Sequence, residues 1–162
     1  MHILHSFFQM KFRNENVYWH NLVYLHFWRQ FLRGKLCEGN SEIDLNRFFP
    51  GSQKGSLTSR LTNIFMEEIV ANSTHGVDLH AGSHHRINLP HIRACVENPE
   101  TEKLAFAFGA PVILNANLRD GSLRQAVEEA GIPMLLYEAG EALRFDELTV
   151  RAGVKGILAA IR

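Results

Sequence analysis

GSLRQAVEEAGIPMLLYEAGE, Gly121 to Glu141, joins a helix to a strand across one turn and decides the fold. Ser122 to Ala130 predicts a helix stopped by Gly131, whose freedom at positive φ suits the position just past a helix end. Pro133 to Glu138 (PMLLYE) predicts a strand terminated at Ala139 and Gly140. A helix returning through a short turn to an apolar strand is the unit of an α/β sheet with crossover connections. Working outward, Pro111 to Asn115 (PVILN) predicts a strand short and apolar enough for the interior of a parallel sheet. Gly76 to His80 (GVDLH) predicts another, and the AGSHHRIN stretch after it reads as a loop because Gly, Ser and consecutive histidines carry no apolar period. Ser56 to Val70 predicts a helix with Ser56 as N-cap and Leu57, Leu61, Ile64, Phe65 and Ile69 at helical spacing. Phe145 to Ile161 predicts a closing helix with Leu148, Val154, Ile157, Leu158 and Ile161 available to bury. The expected fold class is α/β, with a mixed, largely parallel sheet flanked by helices.

The first 40 residues do not share this pattern. Nine aromatic residues (Phe7, Phe8, Phe12, Tyr18, Trp19, Tyr24, Phe27, Trp28 and Phe31) crowd the first 31 positions, and the composition changes near Asn40. Asn16 to Leu32 (NVYWHNLVYLHFWRQFL) is apolar without a clean period. It reads either as a buried helix, covering one sheet edge, or as an amphipathic helix lying on a membrane or a partner. Residues 1–40 are therefore expected to form an aromatic-rich leader, and 41–162 an α/β domain.

The chain of 162 residues is long enough for one core. Its 17 Lys and Arg balance its 17 Asp and Glu, which leaves no basic field for phosphate backbones and argues against nucleic acid as a partner. Cys37 and Cys95 have no CxxC spacing, so neither a thiolate zinc knuckle nor a disulfide framework is read from them. No apolar run approaches the roughly 18 residues needed to span a bilayer, and no secretory leader is recognisable. A cytoplasmic protein is expected.

His80 closes the strand GVDLH and Glu138 closes PMLLYE, so both are expected at carboxyl ends of sheet strands, where open α/β sheets place their ligands. An imidazole can hold a divalent metal, and a carboxylate beside it can take a proton from bound water. Metal-assisted hydrolysis is the chemistry that pair suggests. Asp78, two residues before His80, shares its strand face and can orient the ring. Asn46 and Arg47, in IDLNRFFPG, offer amide donors and a guanidinium fork suited to capturing a substrate carboxylate.

These residues carry a resemblance. DLNRFFPG (Asp44 to Gly51) with GSLTSR (Gly55 to Arg60), DLHAG (Asp78 to Gly82) with RINLPHIRA (Arg86 to Ala94), and GSLRQAVEEAGIPMLLYEAGE (Gly121 to Glu141) resemble the succinylglutamate desuccinylase/aspartoacylase family, zinc hydrolases related to the zinc carboxypeptidases. The motifs run in order from about Phe31 to the C-terminus. The resemblance implies a zinc carboxypeptidase-like fold, one Zn2+ held in part by His80, and Glu138 as general base. It implies Asn46 and Arg47 as holders of a small carboxylate substrate, and cleavage of an amide or ester to an acyl group. Arg119 or Arg124 can add substrate or oxyanion contacts, and the resemblance leaves open whether Arg33 or Lys35 replaces an oxyanion-stabilising arginine expected before DLNR. His84, His85 and His91 are read as loop residues with structural roles.

The family draws its first two zinc ligands from an early H-x-x-E motif, and no histidine here has Glu three residues later; HGVD at His75 is the nearest echo. Nor do the residues after the last helix read as the family's smaller C-terminal β domain. The expectation is the middle part of a longer enzyme, with sheet edges and apolar faces that invite self-association. A second reading stands beside the hydrolase: a catalytically inactive fragment acting as a binding or interaction protein.

Overall fold

The computed structural model describes residues 12–14, 17–19, 44–83 and 85–162. A short antiparallel ribbon pairs β1 (Phe12–Asn14) with β2 (Val17–Trp19). A turn of 3-10 helix at Leu45–Arg47 leads into α1 (Leu57–Glu68), followed by β3 (Gly76–Gly82) and β4 (Asn88–Ala94). Then come α2 (Pro99–Phe108), β5 (Ile113–Asn115), α3 (Leu123–Glu129), β6 (Met134–Glu141) and α4 (Glu147–Ala160). Four strands form one sheet in the order β3-β6-β4-β5. The β3–β6 and β4–β5 pairs are parallel and β4–β6 is antiparallel, which makes the sheet mixed and largely parallel, as expected.

Strand geometry sends successive side chains to opposite faces, and here that alternation divides core from site. One face carries Val77, Ile92, Ala94, Leu135, Tyr137 and Ala139, which pack with Leu104, Ala105 and Phe108 of α2 and Ala160 of α4. Ile92 and Leu135 are completely buried, each contributing about 1.5–3 kcal/mol. The residues between them on the same strands, Asp78 and His80, His91 and Arg93, Leu136 and Glu138, face the other way and line a cleft. A second cluster lies on that side. Leu123, Ala126 and Val127 of α3, with Phe49 and Val70, gather around Met134, and Phe65 and Met66 of α1 pack against them.

Helix ends follow the sequence. Ser56 caps α1 by accepting from the Ser59 amide, and Ser122 caps α3 by accepting from the Gln125 amide. The Gln125 side chain reaches back to the Gly121 amide at 2.9 Å, a reciprocal arrangement of the capping-box type. Asn98, Pro99 and Gly109 bound α2 in the same manner, the glycine taking φ 72°.

The structure corrects several expectations. The AGSHHRIN loop is shorter: Ala81 and Gly82 extend β3, and Asn88 already begins β4. β4 and α2 were not anticipated, the first because its face alternates polar and apolar residues around Pro90. Among the described residues PVILN is not interior but a three-residue edge strand beside β4. The PMLLYE strand does not stop at Ala139; it runs on to Glu141 because Gly82 pairs with Glu141 beyond a register shift.

In α1 the buried positions are Thr58 and Thr62, whereas Leu57 and Ile64 are exposed. The helix lies tight on the segment after Arg47, with the Thr62 hydroxyl 3.0 Å from the Phe48 carbonyl, an approach that favours small side chains. In α4 the inward positions are Gly153, Gly156 and Ala160, and Leu148, Val154 and Leu158 face outward. A β-carbon on Gly156 would lie 2.2 Å from Cε1 of Phe108, so glycine sets how closely α4 meets α2. The helical reading of Asn16 to Leu32 fails at Val17–Trp19, which are strand; the rest of that segment lies outside the described residues. Among the described residues no helix is long and apolar enough to cross a membrane.

Candidate active site

Because β3 and β6 are parallel neighbours, the backbone ladder places His80 and Glu138 level with each other as Cα partners. Their side chains emerge on the cleft face. Asp78, buried beneath, has its Oδ2 2.8 Å from Nε2 of His80, a carboxylate–imidazole contact that fixes a ring's orientation. On the other side of β6, β4 brings three polar groups to Glu138. The Asn88 amide donates to Oε2 at 2.8 Å, Arg93 NH1 stands 3.4 Å from Oε1, and His91 Nε2 is 3.9 Å from Oε2. The His91 Nδ1 lies 2.7 Å from the Leu89 carbonyl. His91 is thus a strand residue facing Glu138, which corrects its reading as a loop residue. His85 is a loop residue at φ 63°, its amide donating to buried Glu141 at 2.9 Å. His84, Arg33 and Lys35 lie outside the described residues.

The opposite wall is the DLNR turn. Asp44 accepts from the Asn46 amide at 3.1 Å and pairs with the Arg47 guanidinium at 3.6 Å. Asn46 Oδ1 accepts from the Leu123 amide at 2.8 Å, which binds the turn to the start of α3. Gly121, at φ 70°, allows this docking: a β-carbon there would lie 2.5 Å from the Arg47 carbonyl oxygen. DLNR and GSLR, distant in sequence, are therefore one structural unit.

Arg124 projects from that unit. Its NH2 donates to the carbonyls of Ala116 and Asn117 at 3.1 and 2.6 Å. The residue is only 7% exposed, and NH1 is buried without a hydrogen-bond partner among the described residues. Burial, and after it the Arg93 cation, holds its pKa below the ordinary arginine value. Such a group gains from an incoming anion.

The two walls enclose a cleft of about 910 Å³ lined by Asn46, Arg47, His80, Arg124 and Glu138, with Arg93, His91 and Arg119 around them. All four residues singled out for function in the sequence, Asn46, Arg47, His80 and Glu138, therefore border one space. Sequence reading missed Asn88 and Arg93; their signal was the polar member of each pair in NLPHIRA, visible only once that run is seen as a strand. Among the described residues no three His, Cys, Asp or Glu side chains stand close enough to hold a metal ion. Catalytic zinc takes three protein ligands, so the described donors alone do not fit one.

None of the curated proteins matches the chain. The profile of the succinylglutamate desuccinylase/aspartoacylase catalytic domain matches residues 35–162. The fold is shared with a succinylglutamate desuccinylase/aspartoacylase from Rhodobacter sphaeroides, at 28% identity and TM-score 0.65 over 74% of this chain and 37% of that one. It is shared also with a succinylglutamate desuccinylase from a Silicibacter species, at 25% identity and TM-score 0.63 over 72% of this chain and 38% of that one. The product-bound ectoine utilization protein EutE from Ruegeria pomeroyi aligns at 24% identity and TM-score 0.65, over 73% of this chain and 38% of its own, a likeness of fold. The chain thus spans well under half the length of these structures. With the motifs in order, the same sheet and a matching profile over most of its length, this chain belongs to the succinylglutamate desuccinylase/aspartoacylase family.

Proposed function

We propose that this chain carries the water-activating and carboxylate-binding half of a deacylase that hydrolyses the amide, or in some members the ester, of a small N-acyl amino acid or related carboxylate. The observation that carries this reading is the level placement of His80 and Glu138 on adjacent parallel strands, across one cleft from the Asn46–Arg47 turn. Family membership supports the hydrolase class.

Glu138 is the general base: its carboxylate takes a proton from the attacking water and returns it to the leaving amine as the tetrahedral adduct collapses. Asn46 binds the substrate carboxylate through its Nδ2, the oxygen being committed to Leu123, and Arg47 supplies the cation. The NH1 of Arg124, without a hydrogen-bond partner among the described residues, supports a further anionic contact, to a second carboxylate or to the developing oxyanion. The family implies zinc, with His80 as the ligand in this part of the chain. The remaining donors would have to come from beyond the described residues, and no step here is routed through the metal. Unpaired β3 and β5 edges among the described residues, and exposed Phe145 and Leu148, support self-association. Lack of a cysteine framework supports a cytoplasmic, reducing setting.

The test is amine release from a panel of N-acyl amino acids by the purified chain with added zinc. Glu138→Gln is expected to lower the rate at least about 100-fold with the fold intact by circular dichroism. Hydrolysis undiminished by that substitution would remove Glu138 from the mechanism.

A further inference from the structure

The antiparallel ladder between β4 and β6 is irregular at one place, and the irregularity points at Glu138. His91 is the Cα partner of Glu138, but Asn88 rather than Leu89 is the partner of Gly140. Two residues of β4, Leu89 and Pro90, therefore oppose one residue of β6, which is a β-bulge. In a regular ladder Leu89 would share the face of His91 and Arg93, since residues two apart point the same way. The bulge instead turns Leu89 out to solvent, where it is 66% exposed, and brings the Asn88 amide onto the cleft face. Pro90 suits the place, because it has no N–H to withdraw from the ladder.

The consequence is that one strand reaches both oxygens of the carboxylate. Asn88 Nδ2 holds Oε2 at 2.8 Å and Arg93 NH1 stands at Oε1, 3.4 Å away. His91 does not duplicate this. Its Nδ1 is committed to the Leu89 carbonyl at 2.7 Å, and its Nε2 stands 3.9 Å from Oε2, beyond hydrogen-bond reach. Asn88 is the short, neutral, directional donor.

We infer that Asn88, delivered by the Leu89–Pro90 bulge, is a positioning residue that fixes the Glu138 carboxylate in the orientation from which it accepts the water proton. The inference deepens the reading of Glu138 as base and rests on it for its kinetic consequence. A misplacement of a catalytic group by about 1 Å can lower a rate by about 100-fold, so loss of this one hydrogen bond is expected to register in turnover rather than in substrate binding.

The experiment compares wild type, Asn88→Leu, Asn88→Gln and Glu138→Gln of the full chain, by high-resolution crystallography and by steady-state hydrolysis of an N-acyl amino acid with zinc. Leucine fills similar volume without a donor; glutamine keeps the amide. In Asn88→Leu, Glu138 is expected in a different rotamer or in several, with kcat down about 10- to 100-fold and KM unchanged; Asn88→Gln recovers part of both. Glu138 in its wild-type rotamer in Asn88→Leu would overturn the inference, whatever the rate does. Full hydrolysis by Glu138→Gln would instead overturn the base assignment, while the rotamer comparison still decides whether Asn88 holds that carboxylate. If Asn88→Leu fails to fold, Asn88→Ser, which shortens the side chain beyond reach of Oε2, takes its place with the same expectations.

Discussion

Asn46 has two ends with separate duties, and substitutions can separate them. Its Oδ1 accepts from the Leu123 amide at 2.8 Å, an orphan donor in the first turn of α3; its Nδ2 is the donor proposed for the substrate carboxylate. Asn46→Ala removes both. The abandoned amide is expected to lower folding stability by about 1–2 kcal/mol, a noticeable part of the roughly 5–15 kcal/mol of an ordinary domain. Asn46→Asp keeps an oxygen where Leu123 needs it and makes the bond charge-assisted, so stability is expected within about 1 kcal/mol of wild type or above it.

Binding moves differently in the two variants. The aspartate sets a negative charge against the incoming carboxylate, and at about 4 Å and an effective dielectric of 20 the repulsion is about 4 kcal/mol. With Arg47 beside it, half that figure is a fair net, which corresponds to roughly 30-fold weaker binding. Urea unfolding gives the first quantity, and titration with a small N-acyl amino acid followed by NMR gives the second. An Asn46→Asp protein that unfolds as readily as Asn46→Ala, or that binds the carboxylate as wild type does, would refute the division of labour.

Gly156→Ala is expected to destabilise by about 1–3 kcal/mol by urea unfolding, because overpacking against Phe108 outweighs the roughly 1 kcal/mol gained in helix propensity; Gly156→Ala with Phe108→Leu should recover part of it. A small dicarboxylate at 100 times its dissociation constant should raise wild-type stability by about 2.7 kcal/mol, and Arg124→Met should abolish most of that gain in a thermal-shift assay if NH1 takes an anion. Burial, opposed by Glu100, holds the His75 pKa below its ordinary value. Between that lowered value and 6.5 the unfolded chain binds more protons, so this contribution is complete above pH 6.5 and is lost as pH falls through the folded value. Unfolding at pH 7.5 and 5.5 should accordingly show a smaller acid loss in His75→Asn than in wild type.

The α/β class, the strands ending in His80 and Glu138, and the caps of α1 and α3 were legible because each rests on local chemistry: an apolar run, a serine, a glycine. The packing faces of α1 and α4 were not. Both helices dock through small residues, Thr58 and Thr62 or Gly153 and Gly156, and a search for large apolar side chains reads the opposite surface. β4 was hidden because its cleft face is polar and Pro90 interrupts it. α2 carries plain end signals in Asn98, Pro99 and Gly109. Asn46, Arg47, His80 and Glu138 could be named from motifs, but their meeting depends on the strand order β3-β6-β4-β5, a long-range property that no window of sequence contains.

The level pairing of His80 with Glu138 also governs which kinds of change this scaffold can absorb over evolutionary time. Their alignment is written into the peptide ladder, so inserting a single residue within β3 ahead of His80 would rotate the imidazole to the opposite, core-packed side of the sheet. The connecting segments, which carry no such bookkeeping of odd and even positions, can lengthen or shorten without moving either group. Diversity in what the cleft accepts should therefore accumulate in the loops around its mouth, while strand lengths stay frozen.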